Sequence, residues 1–147
     1  MQDTSHDKTS KSELSDPNKL RESYLTFMEK TGAKRVPSSS LLPENDPSTL
    51  FTGSGMQPMV PYLLGQPHPE GNEIVNVQKC LRTVDIEEVG DHSHLTLFEM
   101  IGRWAFQADP ATYKSEQVNA IWDWQVGTLG LDPNRLYISV YKGNKEM

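Results

Sequence analysis

The sequence has little cysteine, no basic excess and no long apolar run. Among its 147 residues Cys80 is the one cysteine, with no CxxC pair or Cys/His cluster at zinc spacing. We therefore expect no internal disulfide, no zinc or other bound metal, and a reducing, cytoplasmic compartment. The formal net charge of −6 excludes a general nucleic-acid-binding face. No apolar run reaches about 20 residues and the first 15 lack a secretory apolar centre, so we expect no membrane partner.

Three common catalytic motifs are also missing. The sequence contains no GxSxG, no GxxxxGK[ST] and no GxGxxG, so nucleophile-elbow, P-loop and dinucleotide-binding functions have no motif support. His92 and His94 would share one face of a strand, but further metal ligands cannot be located, so unliganded histidines are favoured. The neighbouring acidic residues, Glu87, Glu88 and Asp91, are better interpreted as a solvated turn than as a catalytic acid cluster.

The beginning of the chain divides into a polar tail and a helix. Residues 1–15 hold one leucine and no aromatic residue among many polar ones, so we expect a disordered tail. Asp16 can cap a helix and Pro17 fits its first turn, apolar residues follow at helical spacing, and Gly32 suits the stop. These signals predict a first amphipathic helix.

The rest of the chain alternates strand and helix patterns. Alternating residues predict strands over 74–78, 95–101 and 136–141, and the second of these is apolar on both faces, as in a central strand. An apolar stripe at helical spacing over 114–130, with Gly130 suited to its end, predicts a second long helix. Helices combined with strands that need not be parallel indicate an α+β fold.

One segment, residues 35–56, combines loop composition with apolar residues. It has three prolines, two glycines and a run of serines, which are typical of turns. Its apolar residues indicate that parts of it are nevertheless buried; they are Leu41, Leu42, Leu50, Phe51 and Met56.

Four stretches resemble, in order, segments of the alanyl-tRNA synthetase family. PSSSLLPENDPSTLFTGSGM (37–56) resembles its motif 1 region, VNVQKCLR (75–82) follows, and EEVGDHSHLTLFEMIGRW (87–104) resembles its motif 2 strand-loop-strand. LGLDPNRLYISVYKG (129–143) resembles the segment after the next helix. The resemblance implies that residues 16–147 form the N-terminal portion of a class II catalytic domain, with part of its antiparallel sheet flanked by helices. It also implies that the leucines of the first stretch anchor it against the sheet.

The resemblance assigns roles to five residues. Arg82 matches the catalytic motif 2 arginine, which implies contact with the ATP α-phosphate and the alanine carboxylate. Phe98 and Glu99 match nucleotide-contacting positions, His94 matches a position near the triphosphate, and Met56 matches the methionine lining the alanine pocket. From the residues alone, Met56 is more often a core methionine. Phe98 and Glu99 are adjacent on a strand and point to opposite faces, so both can contact ATP only if the strand twists or Glu99 acts indirectly.

The implied reaction has two steps. ATP and alanine give alanyl-adenylate and pyrophosphate, with Mg²⁺ and Arg82 countering negative charge, and the alanyl group then passes to tRNA(Ala). Leu95, Arg103 and QADPATYK (107–114) depart from the family pattern, and no stretch resembles class II motif 3. We therefore expect this chain alone to be inactive, with the rest of the fold supplied elsewhere or by a second chain. The alternative is a non-catalytic relative that acts as a binding module.

Overall fold

The computed structural model describes residues 15–44, 46–84 and 86–140, and has the predicted α+β architecture. Apart from Ser15, the predicted tail lies outside the described residues. No described helix is both long and apolar enough to span a membrane. The elements in chain order are α1 (Pro17–Lys30), β1 (Lys34–Arg35), α2 (Val60–Leu63), β2 (Glu73–Leu81), β3 (Leu97–Ala105) and α3 (Pro110–Trp122), with 3₁₀ turns at Gln57–Met59, Ile86–Glu88 and Pro133–Arg135.

The three strands form one mixed sheet in the order β1-β2-β3. β1 runs parallel to β2, and β2 runs antiparallel to β3 in a register that pairs Ile74 with Trp104 and Cys80 with Phe98. β2 is therefore the central strand of the described sheet. The prediction of a central position for residues 95–101 is wrong for the described chain: β3 lies at the edge, where Leu97 and Ile101 are exposed.

Helix α1 forms as predicted and covers one face of the sheet. The Asn18 N–H donates to the Asp16 side chain (2.9 Å), which caps the helix, and the chain leaves it through Gly32 at a φ of +102°. Buried Tyr24 and Met28 pack in one cluster with Val75 of β2, Trp124 and Leu129. The hydrophobic face predicted from the helical spacing is thus the face that meets the sheet.

The turn-rich segment lies on the opposite face of the sheet. The side chain of Gln78 on β2 accepts from the Ser39 N–H (2.9 Å), and the Leu81 N–H donates to the Thr52 carbonyl (2.9 Å). These hydrogen bonds pair backbone groups of the segment with β2 and hold the segment against the sheet. The expectation that leucines anchor the segment is wrong for Leu42 and Leu50, which are exposed. The buried apolar anchors at its ends are Val36 and Met59, which pack with Ile74 and Phe106.

The second long helix begins earlier than its apolar stripe indicates. Asp109 caps α3 by accepting from the Thr112 N–H (3.0 Å), and Pro110 occupies the first turn. A π-helical turn, Asp123–Thr128, continues it towards Gly130, which has a φ of +67°. The predicted burial is only partly correct, because Leu129 is buried whereas Val118 and Trp122 are exposed.

The strand predicted over 136–141 is wrong for residues 136–140, and its last residue lies outside the described residues. These residues form no strand within the described chain, and the Tyr137 side chain is 94% exposed. Alternation shows only that a segment suits a sheet, whereas a strand also needs a neighbour to pair with its backbone groups. None of the three described strands pairs with this segment.

Arg103 joins the sheet to α3 through a nearly buried guanidinium. Its side chain is 4% exposed, and one terminal nitrogen donates to Glu73 of β2 (2.7 Å). The other donates to Gln117 (3.3 Å), and the guanidinium carbon lies 5.1 Å from the Tyr113 ring centroid. This departure from the family pattern therefore connects β2, β3 and α3.

We predict that His68 makes folding stability pH-dependent near neutrality. Its ring packs against Tyr62 (centroids 4.5 Å apart) and Phe106 (5.4 Å), and its Nδ1 accepts from the Glu70 N–H (3.1 Å). Burial lowers the pKa of His68, so the unfolded chain takes up a proton first as the pH falls. This stability is therefore fully present above the ordinary histidine pKa of about 6.5 and declines below it.

Urea unfolding between pH 7.5 and 5.5 checks this prediction. As the pH is lowered from 7.5 to 5.5, the free energy of unfolding of the unaltered chain should decrease. It should decrease less in a His68→Phe variant, which keeps an aromatic ring but cannot titrate. Equal pH slopes in the two proteins would show that His68 contributes nothing to the dependence.

Candidate nucleotide site

The candidate site forms where β2 ends and β3 begins. Side chains two residues apart share a strand face, so Cys80 and Arg82 point to the same side of the sheet. Phe98 of β3 pairs with Cys80, and its side chain therefore lies on that side as well. The Arg82 N–H donates to the Thr96 carbonyl (2.9 Å), so the pairing continues one residue beyond β2. The Arg82 guanidinium carbon then lies 5.1 Å from the Phe98 ring centroid. The strand register thus brings together two of the residues that the resemblance places on ATP.

The turn-rich segment fixes the orientation of the Arg82 side chain. Its Nε donates to the Gly53 carbonyl (2.8 Å), and the Gly53 N–H in turn donates to the side chain of Gln57 (2.9 Å). The same Gln57 side chain donates to Asp46 (2.9 Å) and Thr49 (2.7 Å), which fixes the turn. Among the described residues, neither terminal nitrogen of Arg82 has a hydrogen-bond partner and no carboxylate pairs with it. Two parallel donors are therefore free for an anion.

The loop between the strands places His94 near Arg82. Asp91 closes a tight turn, since its Oδ1 accepts from the N–H groups of Ser93 (2.8 Å) and His94 (2.7 Å). Its Oδ2 lies 2.7 Å from His94 Nδ1, and Glu88 lies 3.2 Å from His94 Nε2. The backbone hydrogen bond from His94, together with those from Ser93 and the His94 ring, lowers the pKa of Asp91.

These groups surround a pocket of about 220 Å³. Three of its lining residues are Arg82, His94 and Phe98, which the resemblance assigns to ATP, and the others are Val89, Ser93 and Leu95. The pocket combines a cation, an imidazole and an aromatic ring with apolar walls, which suits an anion carrying a planar ring. Beneath it, burial raises the pKa of the Cys80 thiol, which argues against a nucleophilic role.

The structure does not bring Glu99 or Met56 into this pocket. Glu99 lies on the helix-covered face of β3, opposite Phe98, and forms an ion pair with Arg21 of α1. A direct contact between its side chain and a nucleotide in the pocket is therefore not supported. Met56 is 54% exposed and does not line the pocket. The core interpretation of Met56 is wrong, and its side chain remains available to a ligand.

Sequence reasoning missed two supports of the site, Gly53 and Asp91. The role of Gly53 depends on its carbonyl and on the packing of its loop against β2, so no side-chain pattern could indicate it. Asp91 could have been found, because an aspartate often closes a turn with the N–H groups that follow it. It was instead interpreted as part of a solvated acidic turn.

ATP and Mg²⁺ fit these residues in part. The free Arg82 donors suit phosphate oxygens and the Phe98 ring suits a base. The volume is below the roughly 300–1,000 Å³ typical of ligand pockets, so the pocket holds only a portion of ATP. Within the described ranges, no group of three or more His, Cys, Asp or Glu side chains could hold a metal ion.

Comparison with known proteins identifies the family of the chain. A family model described as tRNA synthetases class II (A) matches residues 19–147, and the chain belongs to this family. The resemblance of the four sequence stretches is thereby confirmed.

The chain is also similar to several alanine–tRNA ligases. It is 46% identical over 132 residues to that of Borreliella afzelii (strain PKo), a match that covers 88% of this chain and 22% of the relative. It is 45% identical over 130 residues to that of Treponema pallidum (strain Nichols), a match that covers 87% of this chain and 21% of the relative. It is 44% identical over 129 residues to that of Dehalococcoides mccartyi (strain ATCC BAA-2100 / JCM 16839 / KCTC 5957 / BAV1), a match that covers 88% of this chain and 14% of the relative. The chain thus spans about a fifth or less of their length.

Proposed function

We propose that this chain provides part of the catalytic site of an alanine–tRNA ligase, which activates alanine with ATP and transfers it to tRNA(Ala). The observation that carries the proposal is the pair of free Arg82 donors beside Phe98 in a chain of the class II family. The similarity to alanine–tRNA ligases supports alanine as the amino acid. The single, buried Cys80 favours a reducing, cytoplasmic setting.

Arg82 would act on the first step by positioning and by charge stabilisation. In that step a carboxylate oxygen of alanine bonds to the α-phosphorus of ATP, and the bond to the leaving pyrophosphate breaks. The planar guanidinium can bind two oxygens at once and stabilise the charge that develops between them. Its hydrogen bond to Gly53 fixes the direction of the donors before substrate arrives, which reduces the entropy lost on binding. Mg²⁺ would supply further positive charge at the phosphates.

We infer that the 147-residue chain does not charge tRNA by itself. The pocket encloses only part of a nucleotide, and β3 has an unpaired edge in the described sheet. The remaining walls of the ATP site would come from further residues of a longer protein or from a second chain. A net charge of −6 also gives the chain little attraction for the tRNA backbone.

A chimeric enzyme tests the proposal. The 132 matching residues of the Borreliella afzelii relative would be replaced by those of this chain, and ATP–pyrophosphate exchange would be measured with alanine, glycine and serine. We expect alanine-dependent exchange in the chimera and none in the 147-residue chain. A folded chimera without alanine-dependent exchange would refute the catalytic role, and exchange by the chain alone would refute its incompleteness.

A non-catalytic binding module is the second candidate. One observation favours it: Leu95, which departs from the family pattern, lines the pocket beside His94. An apolar side chain there removes a polar group from the candidate phosphate site. ATP binding by the chain, combined with no exchange in a folded chimera, would support this alternative.

We predict that Met56→Ala relaxes amino-acid specificity in the chimera. Met56 is exposed, so its truncation should widen the space for the substrate side chain without opening a core cavity. Discrimination by one methylene is worth about 1–3 kcal/mol, so the exchange rate with 2-aminobutyrate should rise roughly 5- to 150-fold relative to alanine. Leu42→Ala, another exposed apolar residue of the same segment, serves as the control. An unchanged preference would show that Met56 does not line the alanine pocket.

A further inference from the structure

Asp91 makes more contacts than closing a turn requires. One carboxylate oxygen, Oδ1, already accepts from two backbone N–H groups, those of Ser93 and His94. The second oxygen, Oδ2, lies 2.7 Å from the Nδ1 atom of His94. An ionised carboxylate only accepts hydrogen bonds, so Nδ1 carries the hydrogen in this contact. Asp91 therefore fixes both the backbone and the ring orientation of His94.

The other ring nitrogen of His94 is held by a weaker contact. Its Nε2 lies 3.2 Å from Glu88, whose side chain is 65% exposed. Exposed ion pairs of this kind contribute little, because water competes for both partners. A phosphate group offers more negative charge and several acceptor oxygens, so it can replace Glu88 at this position.

We propose that Asp91 is a positioning residue, which turns His94 so that its Nε2–H, in the form of the ring that carries hydrogen on both nitrogens, donates to the outer phosphates of ATP when they displace Glu88. The inference rests on the proposed nucleotide site, which already includes His94, and adds Asp91 to it. Arg82 and Phe98 would hold the α-phosphate and the base, whereas the Asp91–His94 pair would act on the β- and γ-phosphates. AMP lacks those two phosphates, so the pair should affect ATP and leave AMP unaffected.

A substitution can separate this role from a purely structural one. Asparagine closes the same kind of turn through its remaining oxygen, but presents an NH₂ group where Oδ2 accepted from the ring. Asp91→Asn should therefore keep the loop and release the His94 ring. Glu88→Gln weakens the competing contact and leaves Asp91 intact.

Calorimetric titration of the 147-residue chain with ATP·Mg²⁺ and with AMP tests the inference. We expect Asp91→Asn to lower the affinity for ATP about 3- to 10-fold, as for the loss of one oriented hydrogen bond. The affinity for AMP should change by less than about 2-fold. Glu88→Gln should raise the affinity for ATP. In a His94→Ala background, Asp91→Asn should have no further effect, because the residue it positions is gone.

The possible failures are distinguishable. If the unaltered chain binds ATP and Asp91→Asn binds it equally well, the positioning role is wrong and the proposed site stands. Equal weakening of ATP and AMP, or an effect that persists without His94, would show that Asp91 only maintains the loop. If the unaltered chain binds neither nucleotide, the same titrations are made in the chimera, and a folded chimera that binds neither nucleotide would show that the proposed site is wrong and that this inference falls with it.

Discussion

Arg82→Ala should lower alanine-dependent ATP–pyrophosphate exchange in the chimera by about 100- to 1,000-fold, the usual effect of removing one preorganised donor to developing charge. The large effect follows from the geometry of Arg82. Its Nε is held by Gly53, so both terminal nitrogens are directed before substrate binds. No other arginine or lysine lines the pocket within the described chain, so none of those residues could replace the lost charge.

Two controls make the Arg82 experiment specific. Arg82→Lys keeps the charge but loses the planar fork, so it should recover only part of the activity. Arg21→Ala removes an arginine from the opposite face of the sheet, where it pairs with Glu99, and should change exchange by less than about 3-fold. Equal losses for Arg21→Ala and Arg82→Ala would indicate a general effect of charge or folding, and would contradict the local role of Arg82.

The second large effect is expected on stability. Arg103→Met should lower the free energy of unfolding by about 3 kcal/mol, the lower end of the range for breaking a buried ion pair. The lower end applies because Glu73, which would lose its partner, is 39% exposed and can regain water. Truncation would also remove the contact with the Tyr113 ring and the hydrogen bond to Gln117. Urea unfolding followed by tryptophan fluorescence measures the change.

A double variant separates the pair from the packing. Adding Glu73→Gln to Arg103→Met removes the unpaired carboxylate, so the double variant should be more stable than Arg103→Met alone. A loss below about 0.5 kcal/mol for Arg103→Met, the level of an ordinary surface change, would show that Arg103 does not join α3 to the sheet.

The elements predicted well from the sequence are those fixed by local interactions. Helix α1 has its cap at Asp16 and its stop at Gly32, within the segment itself. The segment 136–140 shows the limit of local patterns, because its alternation could not reveal whether a neighbouring strand would pair with it. Leu50 was expected to be buried for its apolarity alone and is 82% exposed, whereas Thr52 nearby is buried through its hydrogen bonds.

The candidate site could be predicted only where the family motif names the residue. Arg82, His94 and Phe98 were assigned through the resemblance, and the structure brings all three to one pocket. Their proximity depends on the register between β2 and β3, which composition and periodicity do not determine. Glu99 is adjacent to Phe98 in sequence but lies on the other face of the strand, where it pairs with Arg21. The structure therefore does not support a contact between its side chain and a nucleotide in the pocket.

The central claim is that the pocket at the end of β2 binds ATP through Arg82 and Phe98. Titrating ATP·Mg²⁺ into the 147-residue chain tests it directly, with Arg82→Ala, Phe98→Ala and the distant Arg21→Ala measured in parallel. Base stacking on an aromatic ring is worth about 1–3 kcal/mol, so Phe98→Ala should weaken ATP at least about 5-fold. We expect Arg82→Ala to do at least as much and Arg21→Ala to leave the affinity unchanged. ATP binding that neither pocket substitution weakens would place the nucleotide elsewhere and contradict the claim.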